Sequence, residues 1–284
     1  MAVIVPVLLK ILIILVTIAL FLFLLVLFLI APNKKRDYSA FRGKKFAHRG
    51  LHGNGIPENS LAAFKAAKEA NIGVELDVQF TKDKQIVVLH FGDLNYMCDV
   101  DKKVLDLTYK ELRQYRLSGT DEHIPLLSEV LEVLGGVPVI CEIKPYSGNS
   151  CPELCLETCR LMDTYRGDWC MESFSPFITG WFIKNRPEII RGQLSSAMRI
   201  DNGQARFKRF MMRHLLINVF SRPDFIAYKF TDLSPWGFRL CRAVYKPFLA
   251  AWTARGDKQF AHAQKNFDTI IFEKFEKKDL IGDE

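Results

Sequence analysis

Residues 74–90 read VELDVQFTKDKQIVVLH. Two strand-like runs, Val74–Phe80 and Gln85–His90, are separated only by Thr81–Lys84. Four residues cannot make the crossover a parallel pair needs, so the spacing predicts an antiparallel hairpin. Glu75 and Asp77 are two apart and point to one face of their strand, while Val74, Leu76 and Val78 take the other. Further strands are predicted at Lys45–Gly50, Pro138–Lys144, Cys170–Phe174, Ile189–Leu194, Phe225–Phe230, Leu249–Thr253 and Thr269–Phe272. Helical segments are predicted between them: Glu58–Ile72 with Asn59 or Ser60 as N-cap, Leu126–Leu134, Pro152–Tyr165, Phe177–Asn185, Ala205–Val219, Gly237–Tyr245 and Lys258–Asn266. Leaving aside the hairpin's return strand, repeated βα units in about 250 residues argue for an α/β protein with a distorted (β/α)8 TIM barrel. An open doubly wound sheet is the rival, and no GxGxxG turn follows the first strand to support it.

The chain has 284 residues, and its apolar excess is concentrated in one place. Of residues 1–31 only Pro6, Lys10 and Thr17 lie outside the apolar set, and the rest of the chain has ordinary globular composition. Residues 11–31 form an apolar run broken only by Thr17, about 31 Å long as a helix, which matches a bilayer core. A secretory signal peptide is the alternative, but its apolar region would be about 7–15 residues and would end on small residues. Here the run is longer and ends in Phe28, Leu29 and Ile30. The expected organisation is a single-pass transmembrane anchor over residues 1–32 and one barrel domain over residues 33–284. Lys34, Lys35, Arg36, Arg42, Lys44 and Lys45 follow the span, and Lys10 and the amino terminus precede it. The positive-inside rule then puts the barrel in the cytoplasm, although Lys44 and Lys45 also read as part of the folded domain. Of the formal net charge of +7, all but Lys10 lies outside residues 1–31. Disordered, collagen-like and polytopic membrane architectures are excluded.

In a TIM barrel, chemistry gathers at the C-terminal ends of the strands. The first strand ends in His48-Arg49-Gly50, the second carries Glu75 and Asp77, its partner ends in His90, and the next carries Glu142 and Lys144. Charges on strands covered on both faces are costly unless paired or bound to a metal. Three converging carboxylates suit a hard divalent cation, Mg2+ or Ca2+; a buried ion-pair network with Lys144 and Arg49 is the competing reading. Histidine suits proton transfer, Arg49 offers a planar fork for phosphate oxygens and Lys144 a point charge. Cys151, Cys155 and Cys159 recur every four residues, which predicts a small buried helix face rather than a metal knuckle. The basic stretch Arg199–Arg213, with Phe207, Phe210, Met211 and Met212 interleaved, reads as a solvated barrel helix or as a surface resting on anionic lipid. The mild basic excess and the absence of a recognition motif argue against nucleic acid, and nothing implies an obligate protein partner.

The motifs AHRG, PENSLAAFKAA, GVELDVQFTKD, IVVLH, CEIK and WTAR, in this order and spacing, resemble the glycerophosphodiester phosphodiesterase family over about residues 44–273. That resemblance implies a distorted TIM barrel that uses a divalent cation to cleave glycerophosphodiesters to glycerol 3-phosphate and an alcohol. It implies Glu75, Asp77 and Glu142 as metal ligands and His48 and His90 as general base and acid. It also implies Arg49 and Lys144 on the phosphate, Asn59 bracing the site and Trp252 lining the cleft. A lysophospholipase D acting on lysophospholipids from the same barrel, and a non-catalytic tethered binding module, are the alternatives. Two positions depart from the pattern: Phe91 follows His90 where the family carries aspartate, with Asp93 as a substitute, and Arg255 replaces the asparagine of Trp-Thr-Val-Asn.

Overall fold

The computed structural model describes residues 4–33, 36–146, 151–198 and 206–273. An apolar helix α1 (Ile4–Ile30) precedes β1 (Lys45–His48), α2 (Leu61–Glu69) and β2 (Gly73–Phe80). Then come β3 (Ile86–Val88), the single turns α3 (Asn95–Cys98) and α4 (Tyr109–Leu112), α5 (Leu127–Leu134) and β4 (Val139–Ile143). The remaining units are α6 (Pro152–Met162), β5 (Trp169–Ser173), α7 (Pro176–Asn185) and β6 (Arg191–Ser195). After them follow α8 (Arg206–Arg213), α9 (Asn218–Ser221), β7 (Phe225–Lys229), α10 (Trp236–Tyr245), β8 (Phe248–Arg255), α11 (Gly256–Gln264) and β9 (Thr269–Glu273).

The sheet order is β1-β9-β8-β7-β6-β5-β4-β2, and β1 also pairs with β2, so eight parallel strands close into a barrel. The short strand β3 runs antiparallel to β2, with Val78 opposite Val88, as the four-residue connection requires. The lower half of the barrel is packed with Phe46, Ile140, Cys170, Leu194, Phe225, Phe248 and Ile271. Tyr38 and Phe41 from the segment before β1 close its base, Tyr38 stacking on Phe248 at 4.4 Å between centroids. Outward-facing Val74, Leu76, Val78, Cys141 and Ile143 meet the helices. Cys155 and Cys159 are buried on α6 and Cys151 at its start, none in a disulfide, and they form the small buried face their spacing predicts.

One local choice is decided and one expectation changes. Of the two N-cap candidates, Ser60 caps α2, its hydroxyl accepting from the Ala63 amide at 3.1 Å, while Asn59 is drawn to the barrel mouth. The helix predicted over Ala205–Val219 is broken in two: α8 ends at Arg213, Leu215 turns left-handed (φ 59°), and a new turn begins at Asn218. His214 causes the break, since it is buried against Trp236 and Gly237 rather than exposed on a helix face. The segment 91–125 folds into short turns around their own core of Leu89, Leu94, Met97, Val104, Leu112 and Ile124.

The end of α1 belongs to the barrel wall. Arg222 Nη1 donates to the Phe28 and Ala31 carbonyls at 2.8 and 3.0 Å, Asn218 Nδ2 to the Ile30 carbonyl at 2.9 Å and Tyr245 Oη to the Leu27 carbonyl at 2.9 Å. These bonds satisfy carbonyls that a helix end leaves without partners. Ile30 is fully buried among Leu215, Leu216, Ile226 and Phe238, whereas residues 7–25 are exposed. Residues 7–30 are long and apolar enough to cross a membrane.

Candidate active site

The chain turns sharply after β1. Arg49 (φ 58°), Gly50 (φ 80°) and Asn59 (φ 54°) are left-handed, and a Cβ on Gly50 would lie 2.8 Å from the Ala63 Cβ. Glycine there lets α2 press against the turn. The turn directs three groups at β2. The Arg49 amide donates to Glu75 Oε2 at 3.2 Å, Asn59 Nδ2 donates to Asp77 Oδ2 at 3.0 Å, and Arg49 Nε lies 3.5 Å from the same Asp77 oxygen. Arg49 Nη1 is held by Glu58 Oε1 at 2.6 Å.

Glu142 sits opposite Asp77 in the parallel register of β2 and β4. One ligand oxygen from each of Glu75, Asp77 and Glu142 lies within 4.8 Å of the others, and all three residues are buried. Lys144 Nζ stands 2.8 Å from both Asp77 Oδ1 and Glu142 Oε2. The ammonium therefore supplies the charge that a divalent cation would supply, and the ion-pair network and the cation site are built from the same groups. Oxygen donors alone, buried and close together, fit Mg2+ or Ca2+.

Burial and crowding divide the three carboxyls. Burial, then Asp77, Glu172 and Glu142 beside it, push Glu75 well above the usual carboxylate range. Burial also acts on Asp77, but Lys144, His90 and Arg49 outweigh it and hold this carboxyl well below that range. Burial, opposed by Lys144 and reinforced by Asp77, pushes Glu142 up to about 7.

The two histidines flank this cluster. His48 Nδ1 lies 2.9 Å from Glu273 Oε2, and His48 Nε2 lies 3.9 Å from Glu75 Oε2. Glu273, on the last strand, also accepts from Arg255 Nε, so the departure at position 255 is tied to His48 through one carboxylate. Burial lowers the pKa of His48 despite the bond to Glu273. Burial likewise pushes His90 down to about 3, with Asp77 opposing it and Lys144 and Arg49 adding to it. The substitute role for Asp93 is not realised: Asp93 Oδ1 accepts from the Asn95 amide, and His90 Nδ1 is buried with no partner among the described residues. His90 is steadied instead by the Phe91 ring, edge-on at 4.6 Å, and by Gln79, whose Nε2 donates to the Leu89 and Phe91 carbonyls at 2.6 and 2.8 Å. Trp252 is half-buried at the end of β8, donates to the Ala227 carbonyl at 3.0 Å and meets Phe174 edge-on.

Three residues of this site escape the sequence reading. Glu172 faces Glu142 in the β4–β5 register, is buried, and has Oε2 unpartnered among the described residues. A charge inside the run Cys170–Phe174 is the same signal that marks Glu75. Gln79 continues the Glu75–Asp77 alternation. Glu273 falls one residue beyond the strand boundary set at Phe272, and its pairing with His48 across 225 positions carries no local signal.

A closed parallel barrel with an acidic cluster and two histidines at its strand ends defines a TIM-barrel protein with a candidate metal-assisted acid–base site. Residues 48–170 match the glycerophosphoryl diester phosphodiesterase family, and that stretch holds His48, Arg49, Asn59, Glu75, Asp77, His90, Glu142 and Lys144. A glycerophosphodiester phosphodiesterase of Bacillus altitudinis is 43% identical over 99 residues, 32% of this chain and 40% of that protein. A lysophospholipase D of Rattus norvegicus is 37% identical over 125 residues, 39% of each chain. The chain thus matches about two-fifths of these relatives' length. An Oleispira antarctica phosphodiesterase, solved with the product sn-glycerol-3-phosphate, shares the fold with a TM-score of 0.69 and 22% identity, over 87% of this chain and 99% of that one. A Thermotoga maritima glycerophosphodiester phosphodiesterase superposes with a TM-score of 0.61 and 24% identity, over 80% and 93%.

Proposed function

We propose that this protein is a metal-dependent phosphodiesterase that hydrolyses glycerophosphodiesters to glycerol 3-phosphate and an alcohol. The observation that carries the reading is three buried carboxylates within 4.8 Å, set between His48 and His90 at the strand ends. Glu75, Asp77 and Glu142 would hold Mg2+ or Ca2+, which when bound would neutralise phosphate charge. Arg49 and Lys144 would hold the phosphate oxygens, and Trp252 would line the cleft for the departing alcohol.

The substrate's own 2-hydroxyl attacks phosphorus, and His48 Nε2 accepts its proton. The bond to Glu273 keeps the proton of neutral His48 on Nδ1, leaving Nε2 as the basic nitrogen. His90 protonates the leaving alcohol oxygen as the P–O bond breaks, and the anionic substrate beside it raises its pKa toward that task. Water then opens the cyclic phosphate, giving its proton to His90 while His48 returns its own to the 2-oxygen.

One observation favours a second substrate, a lysophospholipid. An apolar groove of about 310 Å3, lined by Phe174, Phe177, Phe207, Met211 and Phe220, starts at Pro145 beside Lys144. Release of glycerol 3-phosphate from glycerophosphocholine, against release of lysophosphatidic acid from lysophosphatidylcholine, separates the two. His48→Ala and Glu75→Ala are expected to abolish turnover while the barrel stays folded by circular dichroism. Glycerol 3-phosphate release near the parent level in either variant overturns the assignment, and metal-stimulated turnover in the parent excludes a purely binding role. We place residues 11–31 across a membrane with the barrel in the cytoplasm. Arg36, Arg42, Lys44 and Lys45 follow the span and support this reading; Lys34 and Lys35 lie outside the described residues.

A further inference from the structure

A second groove, lined by other residues, has no part in the catalytic mouth. It holds about 1000 Å3 along the outer wall of the barrel, beside α10. Five cationic side chains line it, Arg36, Arg42, Arg239, Arg242 and Lys246, against one carboxylate, Asp268. Asp268 is already paired with Arg42, and Arg36 with Asp224. Among the described residues Arg239 and Lys246 make no ion pair, and both are exposed.

Position gives this charge a meaning. Lys246 lies in the connection that enters β8, Asp268 immediately precedes β9, and Arg36 and Arg42 precede β1. The basic end of the groove is therefore at the base of the barrel, where strands begin. The helix α10 presents Cys241 and Tyr245, one turn apart, to the carbonyls of α1, and Arg239, Arg242 and Lys246 to the groove. One helix thus separates the apolar segment from the cationic groove.

The direction of α1 follows from its bonds. Tyr245, at the base, reaches Leu27, whereas Cys241, one turn farther up α10, reaches Ile30. The chain therefore rises into the wall from below, and exposed residues 7–25 are left beneath the base. His48, Asp77, Glu142 and Trp252 lie at the opposite ends of the strands, about 16 Å away for a five-residue strand.

We propose that the groove of Arg36, Arg42, Arg239, Arg242 and Lys246 binds the phosphate headgroups of anionic phospholipids in the bilayer that α1 spans. This contact seats the base of the barrel on the membrane and turns the catalytic mouth to the aqueous phase. Arginine forks suit phosphate oxygens, and basic residues next to a membrane span are drawn to an anionic leaflet. The inference rests on the reading of α1 as a membrane span. It also favours water-soluble glycerophosphodiesters over bilayer lipids as substrates of the proposed enzyme.

Full-length protein is mixed with phosphatidylcholine vesicles, with vesicles containing phosphatidylglycerol, or with phosphatidylcholine vesicles plus inorganic phosphate. Flotation and hydrogen exchange are then measured. The expected result is flotation in all three, with amide exchange in 36–42 and 239–246 slowed at least threefold only by phosphatidylglycerol. Exchange in 206–213 beside the mouth stays unchanged. Arg239→Ser combined with Lys246→Ser should float equally and keep its hydrolytic activity, yet lose the lipid-dependent protection. Failure to float with any vesicle overturns the span and this inference with it. Flotation without protection at the base, equal protection by free phosphate, or protection of 206–213 instead overturns this inference alone.

Discussion

At the residue scale, the site depends on two carboxylate partnerships that neutralise buried charge. Glu273 takes a bond from His48 and another from Arg255, and although burial opposes them, these hold its carboxyl down to about 2. A depressed carboxylate contributes stability that is present above its ordinary value of 4.5 and is lost as pH falls from there toward 2. Glu273→Gln should flatten the fall in melting temperature across that window. It should also lower kcat on the order of 10–100-fold with little change in KM, because the amide orients His48 poorly. Parent-like kcat, or an unchanged acid limb of the melting curve, overturns this role. Lys144 is the second case. Lys144→Met leaves Asp77 and Glu142 buried without their cation, at a cost of about 3–5 kcal/mol at neutral pH. Urea unfolding with and without Mg2+ checks this. The loss should shrink when a divalent ion is present, and undiminished stability of the metal-free variant contradicts it.

At the element scale, the turn from β1 to α2 sets the geometry of the mouth. Its three constraints, Arg49 and Gly50 left-handed and Ala63 packed on Gly50, aim the Arg49 amide at Glu75. Gly50→Ala should cost about 1–3 kcal/mol through strain and crowding. It should reduce turnover more than a surface substitution of equal stability cost, because Arg49 moves with the turn. Thermal melts paired with kinetics test this, and a fully active Gly50→Ala protein refutes it. The strands and most helices were legible from period and turn residues: the four-residue Thr81–Lys84 link allowed only a hairpin. The expected helix over Ala205–Val219 follows from a pattern of basic and apolar residues that is continuous through His214. What ends it is the burial of that ring against Trp236, a contact from a distant segment.

At the scale of the whole molecule, the barrel must close before any of the chemistry exists. Glu75 and Asp77 on β2 meet Glu142 on β4 only through a parallel register, and His48 meets Glu273 only because β1 pairs with β9. A cation bound by this set binds the folded state alone, so saturation with Mg2+ or Ca2+ at about 100 times its dissociation constant should stabilise by about 2.7 kcal/mol. Because Glu142 sits up at about 7, metal binding should weaken below neutral pH as a proton competes for that carboxyl. Calorimetric unfolding over a metal and pH series tests both points, and metal-independent melting removes the site. By itself the sequence determined the alternating βα order, the apolar segment and the carboxylate- and histidine-bearing strand ends, since each follows from residue spacing along a few neighbouring positions. Only the tertiary structure decided that Glu273 rather than Asp93 serves a histidine, that Glu172 faces Glu142, and that α1 enters the wall at the base. These are contacts between residues far apart in the chain, set by strand register and barrel closure, which local spacing does not encode.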